Sequence, residues 1–478
     1  MRSGRIADRR NRAHMSPAAP PHLWQFSATE LFKAYERGET TPKEVLEATL
    51  ERLKQVNSRL NAVVTLDADG ARVAAIASTK RWRAKQTRGP IDGVPITIKD
   101  SLFVGGLRTT WGSRIFADYV PPLDELPVAR LRESGAIILG KTNVPEFTVQ
   151  GYTDNLIFGP TRNPWNVKLT PGGSSGGAVA AVAAGIGPIA FGTDGGGSIR
   201  RPASHTGLVG FKPSRGAVPR TGGFPAILLD FEVVGAMARC MDDIITAMRI
   251  IGTPGVTPPS SATSAPPRCR ILYAPTFADA PVDAEIAASV GAAAAELERQ
   301  GHHIEQFVRF DLAEPLDNIW PIVSQTGVAW LLSQYHGWKG KVGPAVAAMA
   351  EAGAKLSAAQ YLGALDAVAK LRRDVEDLFA RYDLILTPTT AALPWPATES
   401  HPSTIAGQPV GPRGHAIFTP LANAAGLPAI SLPCAPSASG LPIGFQLIGG
   451  PDQDALVLSV SHEYESTVGL RVRWPEIE

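Results

Sequence analysis

The 478-residue sequence predicts an α/β fold, and three observations carry that reading. β-branched apolar runs such as Val94–Ile98 alternate with helical stretches up to about residue 250. Strand-like runs resume at Ile271–Tyr273, Leu384–Leu386 and Ala429–Leu432. No internal repeat and no apolar run of membrane-spanning length interrupts the alternation, which excludes repeat architectures and helical membrane spans.

The elements follow in chain order. Residues 1–14 hold five arginines and one aspartate without an apolar core, so the head is not a secretory signal. Residues 1–22 read as a basic, disordered head, with Met15 as an alternative start. Ser27-Ala-Thr-Glu30 and Thr41-Pro-Lys-Glu44 are successive capping boxes, the second with proline at the first helical position, and predict helices over 28–37 and 42–60. Val94–Ile98 reads as a buried strand that delivers Lys99 at its end. Ala178–Ala184 reads as a helix for which Ser175 is the cap. Gly252–Arg268 is rich in Pro and Ser and reads as an exposed linker or loop. Trp320, Trp330, Tyr335 and Trp338 crowd the segment that follows residue 310; they are either helix-packing residues or the wall of an apolar pocket.

Bulk chemistry narrows the function. A net charge of +2 gives no polyanion signal, so neither nucleic acid nor membrane is expected as a partner. Cys240, Cys269 and Cys434 are few, odd in number and far apart, which predicts no disulfide framework, no metal site and a cytoplasmic setting.

The chemistry concentrates in Pro171-Gly-Gly-Ser-Ser-Gly-Gly177 and Gly192-Thr-Asp-Gly-Gly-Gly-Ser-Ile-Arg200. Glycines let backbone amides approach a ligand, which is how an oxyanion hole is built around a serine. A serine hydroxyl needs a base within reach, and a desolvated Lys99 could lose its charge and serve. Taken singly, these residues would be turn serines and a solvated strand end.

Two other motifs compete. Gly135-Ala-Ile-Ile-Leu-Gly-Lys-Thr142 matches the phosphate-binding P-loop letter for letter, which would make this a nucleotide-binding protein; its apolar centre instead reads as strand interior. Gly172-Gly-Ser-Ser-Gly176 satisfies the G-x-S-x-G elbow with Ser174 as nucleophile, although Asn163–Pro171, with two prolines, reads as a loop where that fold needs a strand. His205, His302, His303 and His415 are candidate bases for the elbow.

The ordered set of Lys99, Gly172–Gly177 and Thr193–Arg200 resembles the amidase signature family of serine hydrolases. The likeness extends through Lys141–Phe147, Gly159–Trp165, Gly207–Pro213 and Gly440–Gly449. It implies a single large α/β domain over 23–476, with a mixed central sheet covered by helices on both faces and a variable helical segment around 310–380. It also implies a catalytic set of Ser198 as nucleophile, Ser174 at a non-proline cis peptide, and Lys99 as the base acting through Ser174. The two serines lie 24 residues apart, as in the family pattern. Gly195, Gly196, Gly197 and Ser198 would form the oxyanion hole, with Ser175, Asp194 and Arg200 in support. Gly195 stands where the family often has a larger residue, Ala178 where it often has serine, and Ser101 where it often has asparagine.

The resemblance further implies hydrolysis of a carboxylic amide, aryl or apolar, through a Ser198 acyl-enzyme, with esters and carbamates also accepted. No cofactor is required. The partner is a small-molecule amide, and the chain is expected as a monomer or homodimer. Gly172, Gly173, Trp320, Trp330 and Trp338 are the candidate substrate-binding residues. One branch of the family is the glutaminase subunit of tRNA-dependent amidotransferases; that alternative needs glutamine recognition, partner subunits and an ammonia path.

Overall fold

The computed structural model describes residues 22–257, 266–469 and 472–477. The expectations for the basic head and Met15, and for the middle of Gly252–Arg268, fall outside the described residues.

After a 3-10 turn at Leu23–Gln25, the described residues form α1 (Ala28–Arg37), α2 (Pro42–Leu60), β1 (Val63–Leu66), α3 (Ala68–Arg83) and β2 (Pro95–Lys99). Both capping boxes form: Ser27 accepts from Glu30 N and Thr41 from Glu44 N, while each glutamate reaches back to its cap. Next come α4 (Leu126–Glu133), β3 (Ile137–Thr142), α5 (Gly176–Ala183), β4 (Ile189–Asp194), α6 (Arg200–Thr206), β5 (Val209–Lys212), β6 (Val233–Ala238) and α7 (Met241–Ile251). Then follow β7 (Arg270–Tyr273), α8 (Ala284–Arg299) and β8 (His303–Gln306). Three helices, α9 (Leu316–Ser333), α10 (Pro344–Gly353) and α11 (Ala358–Phe379), precede β9 (Leu384–Pro388). A small ribbon of β10 (Thr404–Ile405) and β11 (Gln408–Pro409) leads to α12 (Pro420–Ala424), β12 (Ala429–Pro433), β13 (Gly444–Gly449) and α13 (Asp454–Val468).

Among the described residues, eleven strands form one mixed sheet in the order β1-β3-β2-β4-β6-β5-β12-β13-β9-β7-β8. β2 runs parallel to both β3 and β4, and β7 parallel to β8 and β9; the pairings from β4 through β6, β5, β12 and β13 to β9 are antiparallel. Strands β2, β3, β4 and β6 are buried along their whole length, which is why they read as continuous apolar runs. Alternate residues feed opposite faces: Ile138 joins the cluster of α1, α4 and α7, while Ile137 and Leu139 join that of α2 and α5. At the other end Leu384 and Leu386 pack with α8, whereas Ile385 packs with α9 and α11. Helices therefore cover both faces of the sheet.

This architecture overturns both competing motifs. Gly135–Thr142 runs into β3, whose amides are held in ladders with β1 and β2 instead of curling around a phosphate. Lys141 is fully buried, with Nζ 2.7 Å from Thr109 Oγ1 and 3.6 Å from Asp100, so it has no phosphate to reach. No strand precedes Ser174: residues 171–175 are loop, and α5 starts at Gly176. Of the elbow's candidate bases, His205 turns Nε2 to the Ala392 carbonyl at 3.2 Å.

Candidate active site

Three parallel strands position Lys99, the candidate base. Lys99 is the last residue of β2, between β3 and β4, and its side chain is fully buried. Its Nζ lies 2.8 Å from Ser174 Oγ, 2.9 Å from Thr193 Oγ1 and 3.0 Å from the Thr193 carbonyl. Burial draws the Lys99 pKa down from 10.5 to about 7, against the opposing pull of Glu232 and Asp194. In the neutral form the amine would have two N–H groups, which Thr193 can accept, and one lone pair left for the Ser174 hydroxyl.

Ser174 follows a cis peptide bond from Gly173, with no proline. Ser175 N donates to the Ser198 carbonyl at 3.1 Å, tying the two serine loops together. The Ser175 hydroxyl does not cap α5 as its position suggests; it points to the Thr193 carbonyl at 3.3 Å. Its supporting part is that backbone link.

The second loop joins the end of β4 to α6. Gly197 has φ +111°, and a Cβ there would collide with the Thr419 side chain, so the turn requires glycine. Its N–H is not free for an oxyanion: it donates to Asp194 Oδ1 at 2.6 Å. Gly196 and Ser198 line the cavity, and Gly195 and Gly197 do not, which narrows the expected oxyanion set.

Beneath the loop, Arg200 and Asp194 are both fully buried and paired through two contacts, at 2.9 and 3.0 Å. Burial alone would raise the Asp194 pKa, but the Arg200 charge and hydrogen bonds outweigh it and hold the group far below the usual carboxylate range. Arg200 also donates to Asn423 Oδ1 and Gln446 Oε1, both at 2.6 Å, and Asn423 returns an N–H to Asp194 Oδ1 at 3.0 Å. Arg201 Nη1 donates to the Gly196 carbonyl at 2.7 Å, as does Thr419 Oγ1 at 2.8 Å. Asn423, Gln446, Thr419, Arg201 and Thr193 carry no role that the sequence alone assigns; Thr193 and Gln446 lie inside the motifs quoted above, and that is the one signal pointing to them.

Ser198 opens onto a cavity of about 640 Å³. Val149, Leu228, Trp320, Pro321, Ala345 and Met349 form its apolar wall, and Arg201, Arg413 and His415 its polar end. Of the three tryptophans expected at the pocket, only Trp320 lines it. Trp330 lies ten residues along α9, roughly 80° around the helix from Trp320, and is 49% exposed. Trp338 lies beyond α9 and outside the lining, as does Tyr335, which packs edge-on to Phe116. Gly172 and Gly173 also sit behind the lining, where Gly173 offers its carbonyl to Arg201 at 3.4 Å. Among the described residues, no cluster of His, Cys, Asp or Glu could hold a metal ion, and no helix is long and apolar enough to cross a membrane.

A buried lysine, a serine hydroxyl against it and a second serine at a glycine loop facing a cavity form the arrangement that the sequence resemblance implies. The chain belongs to the Amidase family, whose profile matches residues 44–458. It is 35% identical to a glutamyl-tRNA(Gln) amidotransferase subunit from Moorella thermoacetica, over 95% of this chain and 99% of that one. Among solved structures it is similar to a bacterial aryl acylamidase of the amidase signature family (30% identity, TM-score 0.83, 94% of this chain and 97% of that one). It is likewise similar to 6-aminohexanoate cyclic dimer hydrolase complexed with substrate (28% identity, TM-score 0.84, 95% and 99%). It is an amide-cleaving enzyme with the amidase signature fold.

Proposed function

We propose that the chain hydrolyses a small carboxylic amide through an acyl-enzyme on Ser198. Ser198 attacks the carbonyl while its proton passes through Ser174 to neutral Lys99, and the amides of Gly196 and Ser198 hold the oxyanion. The proton returns to the departing amine, and water then releases the acid. Esters and carbamates fit the same steps. The observation that carries this reading is the 2.8 Å contact between Lys99 Nζ and Ser174 Oγ in a buried site. The domain that performs it is taken as 23–476, with the helices around 310–380 supplying part of the pocket wall through Trp320. Ser198→Ala tests it: turnover should fall on the order of 10³-fold or more with the fold intact, and retained turnover would overturn it.

The second reading is the glutaminase subunit of a tRNA-dependent amidotransferase, and the curated relatives favour it, since they carry the amidotransferase name at 30–35% identity. Against it stands the chemistry of the cavity. Glutamine brings an α-ammonium, and among the described residues no Asp or Glu lines the space around Ser198 to receive it. Comparing L-glutamine with glutaramate, which lacks only that ammonium, separates the readings.

A further inference from the structure

The polar end of the cavity carries positive charge without a lining acid to balance it. Arg413 opens into the space with its guanidinium stacked 4.7 Å over the Trp320 ring, and makes no side-chain hydrogen bond or ion pair among the described residues. The acid that acts on it, Asp317 in the first turn of α9, is not within ion-pair distance. Arg201, 6% exposed, faces the same cavity; its Nη groups rest on carbonyls and its Nε has no partner. His415, 2% exposed, also lines the cavity, and neither of its ring nitrogens has a partner. Those unpartnered nitrogens are closed off from the open space, whereas the exposed Arg413 guanidinium reaches it beside a second arginine with no acid in the lining, which favours an anionic ligand there. A guanidinium stacked on an indole keeps its N–H edge free for the two oxygens of a carboxylate.

Resting on the amidase reading above, we infer that this end of the pocket is an anion subsite, and that the enzyme selects amides bearing a carboxylate away from the scissile bond. Arg413 supplies the charge-assisted pair, and the neighbouring Arg201 adds positive charge. Trp320 sets the spacing: its ring edge abuts Gly196 of the oxyanion loop and its face carries Arg413, so the carboxylate sits about one indole beyond the reacting carbonyl. The rest of the substrate then runs along Val149, Leu228 and Met349, which suits a short methylene or aryl spacer.

Two matched pairs test the inference and show which arm of the amide carries the anion. Pentanamide against glutaramate places the carboxylate on the acyl side; acetanilide against 4-acetamidobenzoate places it on the amine side. Wild-type enzyme should prefer the charged member of one pair by ten-fold or more in kcat/KM. Arg413→Gln should reduce that ratio at least ten-fold, and Arg413→Lys should retain most of it. Ratios near one in both pairs, or a preference that survives Arg413→Gln, would overturn the subsite. Should Arg413→Gln fail to fold, glutarate and benzoate decide with wild-type enzyme: competitive inhibition by one of them that weakens as KCl is added supports the site, and no inhibition by either overturns it. Failure to cleave any of the four amides would count against the amidase reading instead; calorimetric binding of glutarate and benzoate, with one of them bound or neither, then reads the anion site on its own.

Discussion

Trp320 stands edge-on to Gly196, so closely that a methyl group on Gly196 would lie 2.6 Å from its ring. One side chain of the helical segment therefore touches the loop that is proposed to hold the oxyanion, and selectivity and chemistry share a wall. Trp320 is 9% exposed and stacks on Phe231 at 5.8 Å, so it is also a packing residue. Trp320→Ala should destabilise the fold by about 3–5 kcal/mol and flatten discrimination between long and short amides by about 1–3 kcal/mol. Trp330→Ala, at the exposed face of α9, should change stability by no more than about 0.5 kcal/mol and leave kcat/KM alone. Thermal melts and kcat/KM on a bulky and a short amide check both; equal effects at the two sites would contradict the placement.

Lys99 sets a pH dependence with a definite sign. With its pKa drawn down to about 7, the base is neutral above that value, and amide turnover should rise as pH increases through about 7. Lys99→Ala should abolish that limb and suppress amide cleavage more than ester cleavage, because the amine must leave protonated. Persistence of the limb in Lys99→Ala, with loss in His205→Ala or His415→Ala, would contradict the lysine mechanism.

The same shift is a statement about stability. The folded-state pKa lies below the unfolded 10.5, so between about 7 and 10.5 the unfolded chain holds the extra proton, and stability rises with pH through that window. Lys99→Met should therefore gain most over wild type near and below pH 7 and least near pH 10. Denaturant melts of both proteins at pH 7 and pH 10 check the difference; an unchanged gap would contradict it.

Asn423 ties Asp194, Arg200 and the Phe231 carbonyl into one buried network under the proposed oxyanion loop. Asn423→Ala leaves those partners unsatisfied, at a cost of about 1–3 kcal/mol, and should lower kcat more than it changes KM, because the loop amides shift. Wild-type kcat together with a wild-type melting temperature would show that the network does not position the loop.

How much of this is legible in the sequence follows from how local each signal is. The capping boxes of α1 and α2, and the strand that delivers Lys99, are written in adjacent residues and appear where the sequence puts them. The contact of Lys99 with Ser174 spans 75 positions and is legible only through the family resemblance. Gly197 reads as an oxyanion donor because it is a glycine in the right loop, yet a hydrogen bond to Asp194 claims its N–H, and sequence carries no sign of that turn. Ser175 sits where a cap belongs, but Thr193 competes for its hydroxyl. Trp330 and Trp338 share their neighbourhood with Trp320, and only the phase of α9 and the loop after it separates core, surface and pocket. Arg413 and His415 meet Arg201 across more than 200 positions, a juxtaposition that no local pattern records.

The acid-free cavity makes a prediction about substrate charge. Glutaramate should be cleaved with kcat/KM at least equal to that of L-glutamine, since the added ammonium finds no lining carboxylate. Release of ammonia from each at matched concentration checks it. A strong preference for L-glutamine would support the amidotransferase reading instead.

Ser198 as nucleophile, served by Lys99 through Ser174, is the central proposal. Labelling the protein with a fluorophosphonate and locating the adduct by peptide mass spectrometry tests that most directly. The predicted result is a single adduct on Ser198 whose formation is slowed in Lys99→Ala and Ser174→Ala. An adduct on Ser174, or labelling of Ser198→Ala at the wild-type rate, would contradict it.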